Sequence, residues 1–108
     1  MTGRSDFGAF FESLRSDAPP AGTSDELTAL WWVKRDRWDR AHEIVQNLET
    51  AASSRVHAHL HRVEGDLDNA NYWYRRAGVT AATVTLEAEW EQLARELLNQ
   101  ASADSALR

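Results

Sequence analysis

The stretch Gly65-Asp66-Leu67-Asp68-Asn69-Ala70-Asn71-Tyr72-Trp73-Tyr74-Arg75-Arg76-Ala77 decides the fold of this chain. Gly65 stops one helix, and the acidic turn after it starts another over about 68–76, which ends at Gly78. Ala70 lies where a small side chain lets two helices approach to about 8–10 Å. The same order recurs 29 positions upstream. Trp38, Ala41, His42, Ile44, Val45 and Leu48 match Leu67, Ala70, Asn71, Trp73, Tyr74 and Ala77. Leu27, Ala29 and Trp31 match Val56, Ala58 and Leu60. Small residues fall on small ones and apolar residues on apolar ones. The pattern predicts an all-α chain of two antiparallel helical hairpins, nested through Ala41 and Ala70.

The quoted stretch resembles the turn and second helix of a tetratricopeptide repeat, and Asp36-Arg37-Trp38-Asp39-Arg40-Ala41 is similar to the start of the same pattern. Ala58 stands where that family places a small residue in its first helix. The resemblance covers about half the chain, residues 25–78. It implies a non-catalytic scaffold whose groove takes an extended peptide. The spacing of 29 is shorter than the family's repeat of about 34 residues, and no proline closes the unit.

Outward from the repeat, Thr23 and Glu26 have the form of a capping box ahead of a helix over 25–34. Further helices are expected over 38–48, 55–64 and 86–98, with a break of small residues at 50–54. The last is marked by Leu86, Trp90, Leu93, Ala94 and Leu97 at helical spacing. Phe7, Phe10, Phe11 and Leu14 share one face of a short helix, which Ser5 or Asp6 caps. The prolines, glycine and small polar residues of 15–24 read as a linker. The expected organisation is an N-terminal amphipathic segment (1–14), a linker (15–24), a helical domain (25–98) and a flexible tail (99–108). Repeat units do not bury their faces alone, and about three or more are usual. The Trp90 helix is therefore expected to cap one end, with the Phe-rich helix or a second copy of the chain covering the other.

The composition narrows the function classes. The chain has 108 residues, a formal net charge of −5 and no cysteine. Without thiols there is neither a disulfide framework nor a Cys-held zinc. Phosphate backbones recruit clustered cations, whereas Lys34, Arg35, Arg37 and Arg40 alternate with Asp36 and Asp39, so nucleic acid is not an expected partner. No apolar run approaches the roughly 20 residues that span a bilayer, and no signal-peptide core is visible. No membrane association and a cytoplasmic location are expected. Five tryptophans in so short a chain demand either a core or a partner.

Histidine is the residue type with chemistry to offer. His57 and His61, within Val56-His57-Ala58-His59-Leu60-His61, lie one helical turn apart, and Glu64 extends their row. Two such histidines with His42 or Glu64 satisfy three-point metal ligation. Ala58 stands where the zinc-hydrolase pattern requires Glu after the first His, so no general base is evident. The plainer reading makes them amphipathic residues at a helix interface. Trp31, Trp38, Trp73 and Tyr74 fall on inward stripes, while Trp32 and Tyr72 fall off them. Trp32, His42, His57, His61, Asn71 and Tyr72 thus form the candidate binding set. The primary expectation is an interaction module without catalytic residues or a cofactor, binding a protein or peptide or pairing as a homodimer. The alternative is a metal-binding protein or metal-dependent enzyme using His57, His61, Glu64 and His42.

Overall fold

The computed structural model describes residues 6–106; residues 1–5, including Ser5 as a cap, and 107–108 lie outside the described residues. The chain is all-helical, with no strand among those residues. The helices are α1 (Asp6–Glu12), α2 (Asp25–Lys34), α3 (Trp38–Val45), α4 (Ala51–Glu64), α5 (Leu67–Ala77) and α6 (Leu86–Ala106). A single 3-10 turn, Ser13–Arg15, follows α1. Consecutive helices joined by short turns pack most closely, α2 on α3 and α4 on α5.

Those two turns are built alike. Asp36 N–H donates to the Val33 carbonyl and Arg37 N–H to that of Trp32; Gly65 and Asp66 repeat both bonds, to Arg62 and His61. Asp36 and Gly65 are the left-handed residues of the two turns, with φ of 65° and 86°. The bond pair is a Schellman motif, which satisfies carbonyls that a helix end leaves without partners. It recurs at the same spacing as the side-chain pattern.

Several helix ends differ from the sequence reading. Ser24, not Thr23, caps α2 by accepting from Leu27 N–H, and the Thr23 hydroxyl donates to the Pro20 carbonyl. Glu26 closes no capping box; its carboxylate accepts from the Thr50 hydroxyl at the start of α4. The break expected at 50–54 lies at 46–50, and residues 51–54 are already helix. Thr50 caps α4 by accepting from Ser53 N–H, and the Ser53 hydroxyl donates back to the Thr50 carbonyl. Serines compete with the helix only when their hydroxyls bond locally elsewhere, and here that bonding favours the helix start. α3 ends at Val45 rather than 48, and α6 runs on through Ala106 where a frayed 99–108 is expected.

The main core joins Phe10 of α1, Leu27, Leu30 and Trp31 of α2, Ala41 and Val45 of α3, Val56 and Leu60 of α4, and Trp90, Leu93 and Ala94 of α6. α2 is covered from several sides, by α3, α4 and α6. Indole N–H groups tie the elements together. Trp90 donates to the Leu30 carbonyl at 2.8 Å, Trp38 to the Leu60 carbonyl at 2.6 Å, and Trp31 to the Ser13 hydroxyl at 3.0 Å. A second, smaller cluster holds Ala58 of α4 against Ala70 and Tyr74 of α5. Both alanines of the repeat, Ala41 and Ala70, are fully buried. The Phe-rich α1 docks on its own chain, with Phe10 stacked on Trp90 at 6.0 Å between ring centroids.

Candidate functional site

The sequence of α4 presents different histidines to different neighbours. His57 and His61, one turn apart, meet His42 of α3; His59, between them, faces α6. His57 Nε2 lies 3.0 Å from His42 Nε2. The His57 and His61 rings stack at 4.9 Å, and one nitrogen from each of His42, His57 and His61 falls within 4.8 Å of the others. His61 Nδ1 is 2.6 Å from a carboxylate oxygen of Glu64. Two tryptophans sandwich the group: Trp38 lies parallel to His42 at 4.7 Å, and Trp73 of α5 lies parallel to His57 at 3.8 Å.

His57 and His61 are buried rather than bordering the surface, and His42 is half-buried. Burial, with smaller contributions from the neighbouring His42 and His61, pushes the His57 imidazole down to about 4. Burial, with the nearby His61, also lowers His42, against the opposing pull of Glu64. Both are therefore neutral imidazoles at pH 7, and across their 3.0 Å contact one Nε2 donates its N–H to the lone pair of the other. His57 Nδ1 is buried and has no hydrogen-bond partner. A neutral ring bonded through Nε2 alone leaves that atom unsatisfied in either tautomer, at a cost of roughly 1–3 kcal/mol.

The other members of the candidate set scatter. Tyr72 is exposed, edge-on to Trp73, and its hydroxyl accepts from Arg76. Asn71 is exposed beside it on α5. Trp32 is half-buried against Trp31, with the Arg40 guanidinium 4.4 Å above its ring. The structure thus gathers His42, His57, His61 and Glu64, sets Tyr72 at their edge through Trp73, and holds Trp32 in other contacts. Trp38 and Trp73, which the sequence places on inward stripes, pack against the two core clusters and are also half-buried walls of the site.

A second polar cluster was missed from sequence. Glu89 of α6 is buried, and one of its oxygens receives Arg62 at 2.8 Å and lies 2.8 Å from His59 Nδ1. Its other oxygen accepts from the Tyr74 hydroxyl. Burial pushes the Glu89 carboxyl up, but hydrogen bonds from His59, Tyr74 and Arg62 outweigh it, and the net shift is downward. Burial and the Glu89 carboxylate raise the Tyr74 phenol. The signal was present: position 89 falls on the apolar stripe of Leu86, Leu93 and Leu97. A carboxylate on such a stripe demands partners.

No family model matches this chain, and no curated protein or solved structure matches it either.

Proposed function

We propose that this chain is a non-enzymatic, tetratricopeptide-like interaction module. In this reading the α2–α3 and α4–α5 pairs are two units of one repeat, and α6 is the helix that caps them. The support is the duplicated turn, in which Asp36 and Gly65 take the same left-handed conformation and make the same backbone bonds 29 residues apart. The observation that carries the binding role is the face where α3, α4 and α5 converge. Its floor is His57 and His61, its walls are the half-buried Trp38, His42 and Trp73, and its edge is the exposed Tyr72. Rigid aromatic groups with one wet edge are the anchors that dominate protein interfaces. The ligand is a protein segment, either an extended peptide or a second copy of the chain.

The reading is non-enzymatic because Glu89, the buried carboxylate among the described residues, is bound on both oxygens by groups of the chain itself. Among the described residues no helix is long and apolar enough to cross a membrane.

The test replaces exposed residues only. Light scattering across a concentration series, together with affinity capture, compares the wild-type chain with an Asn71→Ala/Tyr72→Ala variant. A dimer or a captured partner that the variant loses supports the face. A monomeric wild type whose captured proteins match those of the variant rejects it.

A further inference from the structure

We propose that His42, His57 and His61 form a three-histidine site for a divalent transition-metal cation of the zinc class, with Glu64 orienting His61. The site goes beyond the interaction reading and does not depend on any partner.

Three observations converge on it. The first is convergence of donors from two helices: the His42 and His57 Nε2 atoms are 3.0 Å apart, and a nitrogen of His61 completes the triangle within 4.8 Å. Tetrahedral zinc with Zn–N of about 2.0–2.1 Å holds its ligand nitrogens roughly 3.3 Å apart. The His42–His57 pair stands close to that spacing, and His61 lies within 4.8 Å of both. The second is the outer layer. A metal-bound imidazole almost always gives its other N–H to a carboxylate or carbonyl, which fixes the tautomer. His61 Nδ1 stands 2.6 Å from Glu64, leaving Nε2 for an ion. The third is the environment. Trp38 and Trp73 clamp the rings of His42 and His57 by parallel stacking, which holds the donors in place before an ion arrives.

The hydrogen bond between His42 and His57 does not by itself account for the cluster. It pairs two nitrogens only, whereas the His61 ring lies against both of the others, stacked on His57 and edge-on to His42. Imidazole donors select zinc, copper, nickel or iron rather than magnesium or calcium. A second trio within the same reach, His61, Glu64 and Asp66, is less suited. Its two carboxylates are exposed, and Asp66 already accepts from Asn69 N–H at the start of α5. With three protein ligands, a fourth position stays open to water or to a donor from outside the chain.

Zinc and cobalt are the probes, added to metal-free protein that carries no histidine tag. The expected result is one zinc per chain by calorimetric titration at neutral pH. Cobalt is expected to give the intense visible bands of a four-coordinate site. His42→Ala, at the half-buried ligand, weakens zinc binding by more than about 100-fold and abolishes the cobalt bands. Glu64→Gln keeps all three ligands and weakens binding by roughly 10–100-fold, the range for loss of an orienting partner. Absence of stoichiometric zinc binding overturns the proposal. So does binding that neither variant changes, because the ion then sits elsewhere. Should His42→Ala lose helicity by circular dichroism, Glu64→Gln, altered at an exposed side chain, decides alone.

Discussion

Two residues separated by a single position in α4 lead different lives. His57 is neutral and stacked between aromatic rings, whereas His59 lies against a buried carboxylate. Glu89 is the centre of that second arrangement, and removing its charge is expected to be expensive. Glu89→Gln keeps the shape but cannot accept from His59, Arg62 and Tyr74 together, and it leaves the Arg62 cation without its counter-charge. A loss of about 3 kcal/mol in denaturant unfolding is expected, as for a broken buried ion pair. Tyr74→Phe removes one bond to a charged acceptor and should lose about 1.5 kcal/mol. The double variant should lose less than the sum, since both act on one network. Full additivity would show that the Tyr74 hydroxyl does not act through Glu89.

The same carboxylate sets an acid limit. Its folded-state pKa is depressed, so the unfolded chain binds the proton first as pH falls. Its contribution is fully present above the ordinary glutamate value of about 4.3 and is lost as pH drops through the lower folded value. Unfolding midpoints measured from pH 6 downward should therefore fall more steeply below about pH 4.5 in the wild type than in Glu89→Gln. Parallel curves would remove Glu89 as a cause of acid sensitivity.

At the scale of helices and turns, the sequence is most readable where backbone demands are sharpest. Gly65 and Gly78 announce left-handed helix ends, which appear in the structure, and the small residues Ala41 and Ala70 announce inward positions, both of which are buried. The start of α4 is obscured because Ser53 and Ser54 look like breakers until Thr50 is seen to cap them. Glu89 is obscured for a different reason. Its place on an apolar stripe signals that it needs partners, but not which ones, because those come from α4 and α5, 15 to 30 residues away in the chain. The histidine trio is half legible: helical spacing pairs His57 with His61, but only the α3–α4 packing brings His42 to them. The duplicated turn offers a paired test. Asp36 occupies the left-handed position that Gly65 fills in the other copy. Asp36→Gly should stabilise the chain by roughly 0.5–1 kcal/mol, because the strain of a side chain at positive φ disappears. Gly65→Ala should destabilise it by about 1–2 kcal/mol. A Cβ there meets nothing within 4 Å, so the loss is one of backbone conformation alone. An unchanged stability in both variants would mean that the two turns are not held in the left-handed conformation.

For the molecule as a whole, the question is whether two hairpins make a stable body unaided. They do not stand alone here, since α6 lies across α2 and α4, and α1 lies on α6. Trp90 is the joint. Its N–H reaches the Leu30 carbonyl, while Phe10 stacks on its ring and Phe7 and Phe11 meet it edge-on. α6 and the aromatic helix behind it therefore cover faces that the two helix pairs leave open. The Pro- and Gly-bearing stretch before α2 hides this from a local reading, because a linker says nothing about where its tethered helix docks. Phe10→Ala tests whether the whole is one cooperative unit. Truncating a buried phenylalanine costs about 3–5 kcal/mol when the surrounding core cannot close over the gap. Phe10 is 4% exposed and shares the main core with residues of α2, α3, α4 and α6. The variant should thus lower the main unfolding transition, followed by circular dichroism at 222 nm, by about that amount while leaving a single transition. If α1 were an appended arm, the main transition would stay where it is, and only the amide protection of α1 itself would fall in hydrogen exchange.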